Sequence, residues 1–112
     1  MGWQPKMIKL LISPEAVRDL EMIGTYISRE LHNPASADKT IRAILRELRI
    51  LERYAEAGPS VEALTGYPTD LRILVCGRYV ALYRIDEQAV SVARILNAKQ
   101  DYLRFMESDG VF

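Results

Sequence analysis

The sequence is poor in the residues that carry disulfide, metal and triad chemistry. Its one cysteine, Cys76, permits no intramolecular disulfide and no cysteine-based zinc site, and it fits a reducing cytoplasm. Its one histidine, His32, supports neither a metal site nor a Ser-His triad and reads as a solvated side chain at the end of a helix. No metal and no cofactor are expected. Neither sign of charge is in excess: 15 Lys and Arg balance 15 Asp and Glu. That balance removes any global electrostatic case for nucleic-acid binding and leaves only local clusters to consider. The Lys-flanked apolar run within residues 1–11 is too short to span a bilayer and lacks a signal-peptide cleavage site, so no membrane association is expected.

What is present suits one folded domain: 112 residues, 49% of them hydrophobic. Residues 7–107 read as that domain, 1–6 as a flexible extension and 108–112 as a tail. Met7 to Ile12 is a short apolar run, read as a strand. Ser13-Pro14 comes next, an N-cap and a proline suited to the first helical position. Val17, Leu20, Ile23 or Gly24, Ile27 and Leu31 recur at helical spacing, so a first helix is expected from Pro14 to about Leu31. Asn33-Pro34 repeats the cap signal and opens a second helix, expected to reach about Ala57 before Gly58-Pro59. Its apolar stripe is Ala37, Ile41, Ile44 or Leu45, Leu48, Leu51 and Ala55. Its other face carries Lys39, Arg42, Arg46, Glu47, Arg49, Glu52 and Arg53, which reads as a solvated face. The short link makes the pair an antiparallel hairpin.

After a loop over 60–69 the period changes to two. Leu71 to Cys76, Tyr79 to Ile85 and Ala89 to Leu96 read as three strands of a meander. Gly77-Arg78 is a two-residue turn, with glycine supplying the positive φ of a type II′ turn. Lys99 to about Glu107 reads as a short terminal helix. The fold class is α+β: N-terminal strand, helix hairpin, three-stranded antiparallel meander, short C-terminal helix.

A Gly77-Arg78 turn sets Cys76 opposite Tyr79 and Arg72 opposite Tyr83. One face then holds Leu71, Ile73, Val75, Val80, Leu82 and Arg84, and is the expected core. The other holds Arg72, Leu74, Cys76, Tyr79, Ala81 and Tyr83, and reads as an outward recognition surface. A two-residue turn before the last strand puts Val90, Val92, Arg94 and Leu96 on the Arg72 side; a three-residue turn puts them on the core side. Between Leu71 and Ile85 the charged residues are Arg72, Arg78 and Arg84, a local basic patch interleaved with tyrosines.

The stretches Asp70-Leu71-Arg72, Gly77-Arg78-Tyr79, Tyr83-Arg84-Ile85, Val90 to Leu96 and Gln100-Asp101-Tyr102 resemble the second half of the RelE/ParE toxin superfamily. The opening strand, Ser13 to Ala16 and Asp19-Leu20 resemble its first half. The resemblance implies a cytoplasmic toxin of a type II toxin–antitoxin module, of the kind called plasmid stabilisation proteins. It implies neutralisation by a cognate antitoxin, with operator DNA bound only through that antitoxin. RelE-like relatives cleave messenger RNA on the ribosome; ParE-like relatives are non-enzymatic inhibitors of DNA gyrase. Val80 stands where RelE-like toxins often carry a catalytic arginine, and Asn97 stands where many relatives carry histidine. These departures, with Leu71-Arg72, Cys76 and Tyr79-Val80, point to the ParE-like branch. The expected target-binding residues are Arg72, Arg78, Tyr79, Tyr83, Arg94, Lys99 and Tyr102. Under the alternative, an mRNA endoribonuclease, the catalytic set is Arg72, Arg94, Lys99 and Tyr102. A third reading is an inactive toxin-fold interaction domain.

Overall fold

The computed structural model describes residues 7–98. The elements in order are β1 (Lys9–Ile12), α1 (Pro14–Thr25), a π-helical turn (Tyr26–Glu30), α2 (Pro34–Leu48), a 3-10 turn (Arg49–Glu52), α3 (Val61–Thr65), β2 (Arg72–Cys76), β3 (Tyr79–Ile85) and β4 (Ala89–Asn97). The sheet order is β1-β4-β3-β2, with β1 parallel to β4 and the other pairs antiparallel. The expected terminal helix, and with it Lys99, Asp101 and Tyr102, lies outside the described residues.

Both helix starts stem from their caps. Ser13 Oγ accepts from Ala16 N–H at 3.0 Å, and Asn33 Oδ1 accepts from Ser36 N–H at 3.0 Å, each supplying an acceptor to an otherwise orphan donor of the first turn. The helix interiors depart from expectation. Leu20 and Ile27 face inward as expected, but Ala16 is buried in place of exposed Val17, and Leu31, beyond the π turn after Thr25, is exposed. The second helix ends at Leu48 and tightens through Glu52 rather than continuing to Ala57. Part of the expected loop is the short helix α3, capped by Ser60 and closed by left-handed Gly66.

Two apolar clusters sit on the two faces of the sheet. The larger joins Ala16, Leu20, Ile44, Leu48 and Leu51 of the helical layer to Cys76, Ala81, Tyr83, Val90, Val92 and Ile95. The smaller joins Val61 to Leu71, Ile73, Val80, Leu82 and Leu96. The expected sidedness is therefore reversed. The Cys76–Ala81–Tyr83 face lies under the helical hairpin, and the Ile73–Val80–Leu82 face packs on α3. Parity sorted the side chains correctly, but both faces are apolar enough to be buried.

In β4 one residue breaks the parity. Leu82 pairs with Arg94 but Tyr83 pairs with Val92, so Ala93 is an extra, bulged residue. Val90 and Val92 share the Tyr83 side, as a two-residue turn requires, whereas Leu96 and Arg94 are switched to the Val80–Leu82 side. Three groups hold the bulge. Ser13 N–H donates to Val92 O at 3.0 Å, Ser13 Oγ–H donates to Ala93 O at 2.9 Å, and Asp19 accepts from Ile95 N–H at 2.8 Å. Asp19 also takes both Arg94 Nε (2.8 Å) and Nη2 (3.1 Å), the side chains being 11% and 31% exposed respectively.

Asp19→Ala removes the acceptor of the Ile95 N–H and the carboxylate beside a half-buried guanidinium. It is expected to lower unfolding free energy by about 2 kcal/mol, read as a reduced urea midpoint at unchanged m-value.

Candidate functional site

The β2–β3 hairpin places most of the predicted residues. Gly77 takes φ +66°, the region its neighbours' L side chains avoid, and the register is as expected, with Cys76 opposite Tyr79 and Arg72 opposite Tyr83. The inward direction of this face then decides what each side chain does. Tyr83 is fully buried. Its hydroxyl donates to Ala55 O at 2.8 Å and accepts from Gly58 N–H at 3.0 Å. Arg72 turns to the same segment: Nε donates to Gly58 O at 2.8 Å and Nη2 to Glu56 O at 3.4 Å. Both groups tie the segment between the 3-10 turn and α3 onto the sheet. Gly58 is required there, because a Cβ would lie 1.9 Å from Ile73 O.

The remaining arginines divide. Arg84 pairs with Asp70 at 2.8 Å on the surface, and Arg94 pairs with Asp19. Arg78 is exposed at the hairpin tip and Tyr79 beside it is half-buried. Tyr79 is opposite Asn97, and Ala98 N–H donates to Arg78 O at 2.9 Å, so the last described residues of β4 run beside the tip. Lys99 is next in the chain; it and Tyr102 lie outside the described residues. Thus the structure gathers Arg78 and Tyr79 with the end of β4. It commits Arg72, Tyr83 and Arg94 to internal contacts.

Cys76 is buried among apolar side chains. Burial, and secondarily the Glu47 carboxylate, push its thiol from the ordinary value of 9.0 up to about 11. His32 is exposed at the hairpin of helices, with φ +51°, remote in sequence from the tip. Among the described residues no group of three or more His, Cys, Asp or Glu is placed to hold a metal ion. No described helix is long and apolar enough to cross a membrane.

Two residues central to this arrangement carry weaker signals in the sequence. Gly58-Pro59 is legible only as a stop, and Asp19 only as an acid favouring the positive end of a helix. Neither signal reveals a partner some 14 or 75 positions away.

A helical hairpin laid on a small, mostly antiparallel sheet, with an N-terminal strand parallel to the last, defines a RelE/ParE-type toxin fold. The chain belongs to the family described as the ParE toxin of the type II toxin–antitoxin system parDE, which matches residues 10–102. It is similar in fold to a chain of the chromosomal ParDE toxin–antitoxin system from P. aeruginosa. That likeness has 22% identity and a TM-score of 0.71, covering 84% of this chain and 99% of that one. It is also similar to a chain of the RelBE2 toxin–antitoxin complex from Mycobacterium tuberculosis, with 20% identity and a TM-score of 0.51, covering 81% and 98%. No curated protein sequence matches the chain.

Tyr83→Phe leaves the buried Gly58 N–H without its acceptor and is expected to cost about 1–3 kcal/mol of stability, measured by thermal or urea unfolding. The Cys76 thiol stays protonated in the folded chain to about pH 11, whereas it ionises near 9.0 when unfolded. Its contribution is therefore complete below pH 9 and is lost as pH rises through that interval. A stability–pH profile should fall there, and Cys76→Ala should flatten the fall.

Proposed function

We propose that this ParE-family toxin is a non-enzymatic inhibitor of DNA gyrase, neutralised in the cytoplasm by a cognate antitoxin through which the operator is recognised. The observation that carries the reading is the internal commitment of the two arginines of the nuclease set. Arg72 is bound to two backbone carbonyls and Arg94 is held by Asp19. Val80, buried on the opposite face, comes after Tyr79, and the amide Asn97 closes β4. A neutral amide moves no proton near neutral pH, and a guanidinium already holding a carboxylate is poorly placed to stabilise a developing phosphorane. Binding needs less: a rigid hairpin tip carrying an exposed cation beside an aromatic ring suits a protein surface. Arg78 and Tyr79 are the target contacts, and Lys99 and Tyr102, outside the described residues, are proposed to join them. The antitoxin is supported by the two structural neighbours, both of which come from toxin–antitoxin assemblies.

The test induces the chain without its partner and monitors gyrase and messenger RNA side by side. Cleaved-DNA complexes with intact messages are expected. Arg78→Ala should weaken inhibition of supercoiling by roughly tenfold at unchanged melting temperature. Truncated messages with gyrase unaffected would transfer the assignment to a ribosome-dependent endoribonuclease. Normal growth with neither effect would leave an inactive interaction domain.

A further inference from the structure

Lys39, Arg42, Arg46, Arg49 and Arg53 are all exposed and succeed one another at spacings of three and four residues along α2 and its 3-10 extension. At about 100° per residue in α2 and about 120° in the 3-10 turn, these spacings keep all five within roughly 120° of arc, opposite the buried Ala37, Ile44 and Leu48. The stripe is about 20 Å long at the helical rise. Two of the five have an acid beside them, both exposed: Arg42 lies 3.1 Å from Asp38 and Arg49 lies 3.8 Å from Glu52. Among the described residues, Lys39, Arg46 and Arg53 have no carboxylate within 4.0 Å. Glu47 is the remaining acid of the two elements and sits off the stripe by about a quarter turn. The chain is neutral overall, so the charge of this face is balanced by acids elsewhere in the sequence.

We propose that this stripe seats the phosphate backbone of duplex DNA. Four of the five cations are arginines, which grip phosphate in bidentate fashion. They are mounted on a helix continued by a 3-10 turn, and the span is a little over half a turn of B-DNA. No aromatic ring lies inside the stripe; Tyr54 and Ile50 only flank its end, so nothing is placed to stack unpaired bases along it. Long cations without base-reading amides predict binding that is indifferent to sequence and steeply dependent on salt. The stripe and the hairpin tip are built from different residues, so binding by this face and inhibition of gyrase can fail independently.

Fluorescence anisotropy of the full chain with a 25-base-pair duplex, in two unrelated sequences, tests the proposal. Micromolar binding is expected at low salt, equal for both sequences, with a log–log salt slope of about −4. Arg46→Ala/Arg53→Ala should weaken it roughly 50-fold at 0.1 M salt and reduce the slope by about 2. The helix-compatible pair Arg46→Gln/Arg53→Gln should do the same at unchanged melting temperature, and Arg18→Ala on α1 should leave affinity unchanged. Absence of saturable duplex binding at 50 mM salt, or binding that either double variant leaves intact, would overturn the proposal. So would tighter binding to single-stranded RNA of equal length, or to a poly-glutamate peptide, than to the duplex.

Discussion

The bulge at Ala93, with the three groups that hold it, is the constraint on which the rest of the domain depends. A β-strand of period two would keep Val90, Val92, Arg94 and Leu96 on one face. The extra residue divides β4, so Val90, Val92 and Ile95 join the core beneath the helices while Leu96 joins the cluster on the other face. One strand thereby serves two cores. The division is enforced from the start of α1: Ser13 ends β1, caps the helix and fixes the bulge carbonyl, and Asp19 almost two turns later fixes the amide and guanidinium beyond it. Helix, strand crossover and bulge are thus one connected hydrogen-bonded unit.

The same economy shapes the opposite end of the sheet. Arg72 and Tyr83 would be exposed binding groups on a sheet with one bare face. Here the helical layer covers that face, and their polar atoms are used to anchor the backbone of Ala55, Glu56 and Gly58. A buried hydroxyl without such partners would destabilise the fold, so these contacts are the condition of Tyr83's burial. The proposed recognition surfaces are the hairpin tip at exposed Arg78, beside half-buried Tyr79, and the cationic outer face of α2. One is a small protruding contact point and the other a long line of charge, and they suit different kinds of partner.

Much of this was determined by the sequence. Ser13-Pro14 and Asn33-Pro34 started the helices because side-chain oxygens meet orphan N–H groups within three residues. Gly77 located the hairpin, and hence the Arg72–Tyr83 pairing, because only glycine readily enters that turn position. The stripe of apolar residues on α2, and the cations opposite, came from helical period. These are local rules, and they carry across three or four residues. The tertiary structure alone decided which face of the sheet turned inward, where β4 changes parity, and which partners Arg72, Arg94 and Tyr83 found. Each of those depends on contacts between residues 14 to 80 positions apart. Two faces of nearly equal hydrophobicity differ in burial only through the elements packed against them, and no local pattern encodes that.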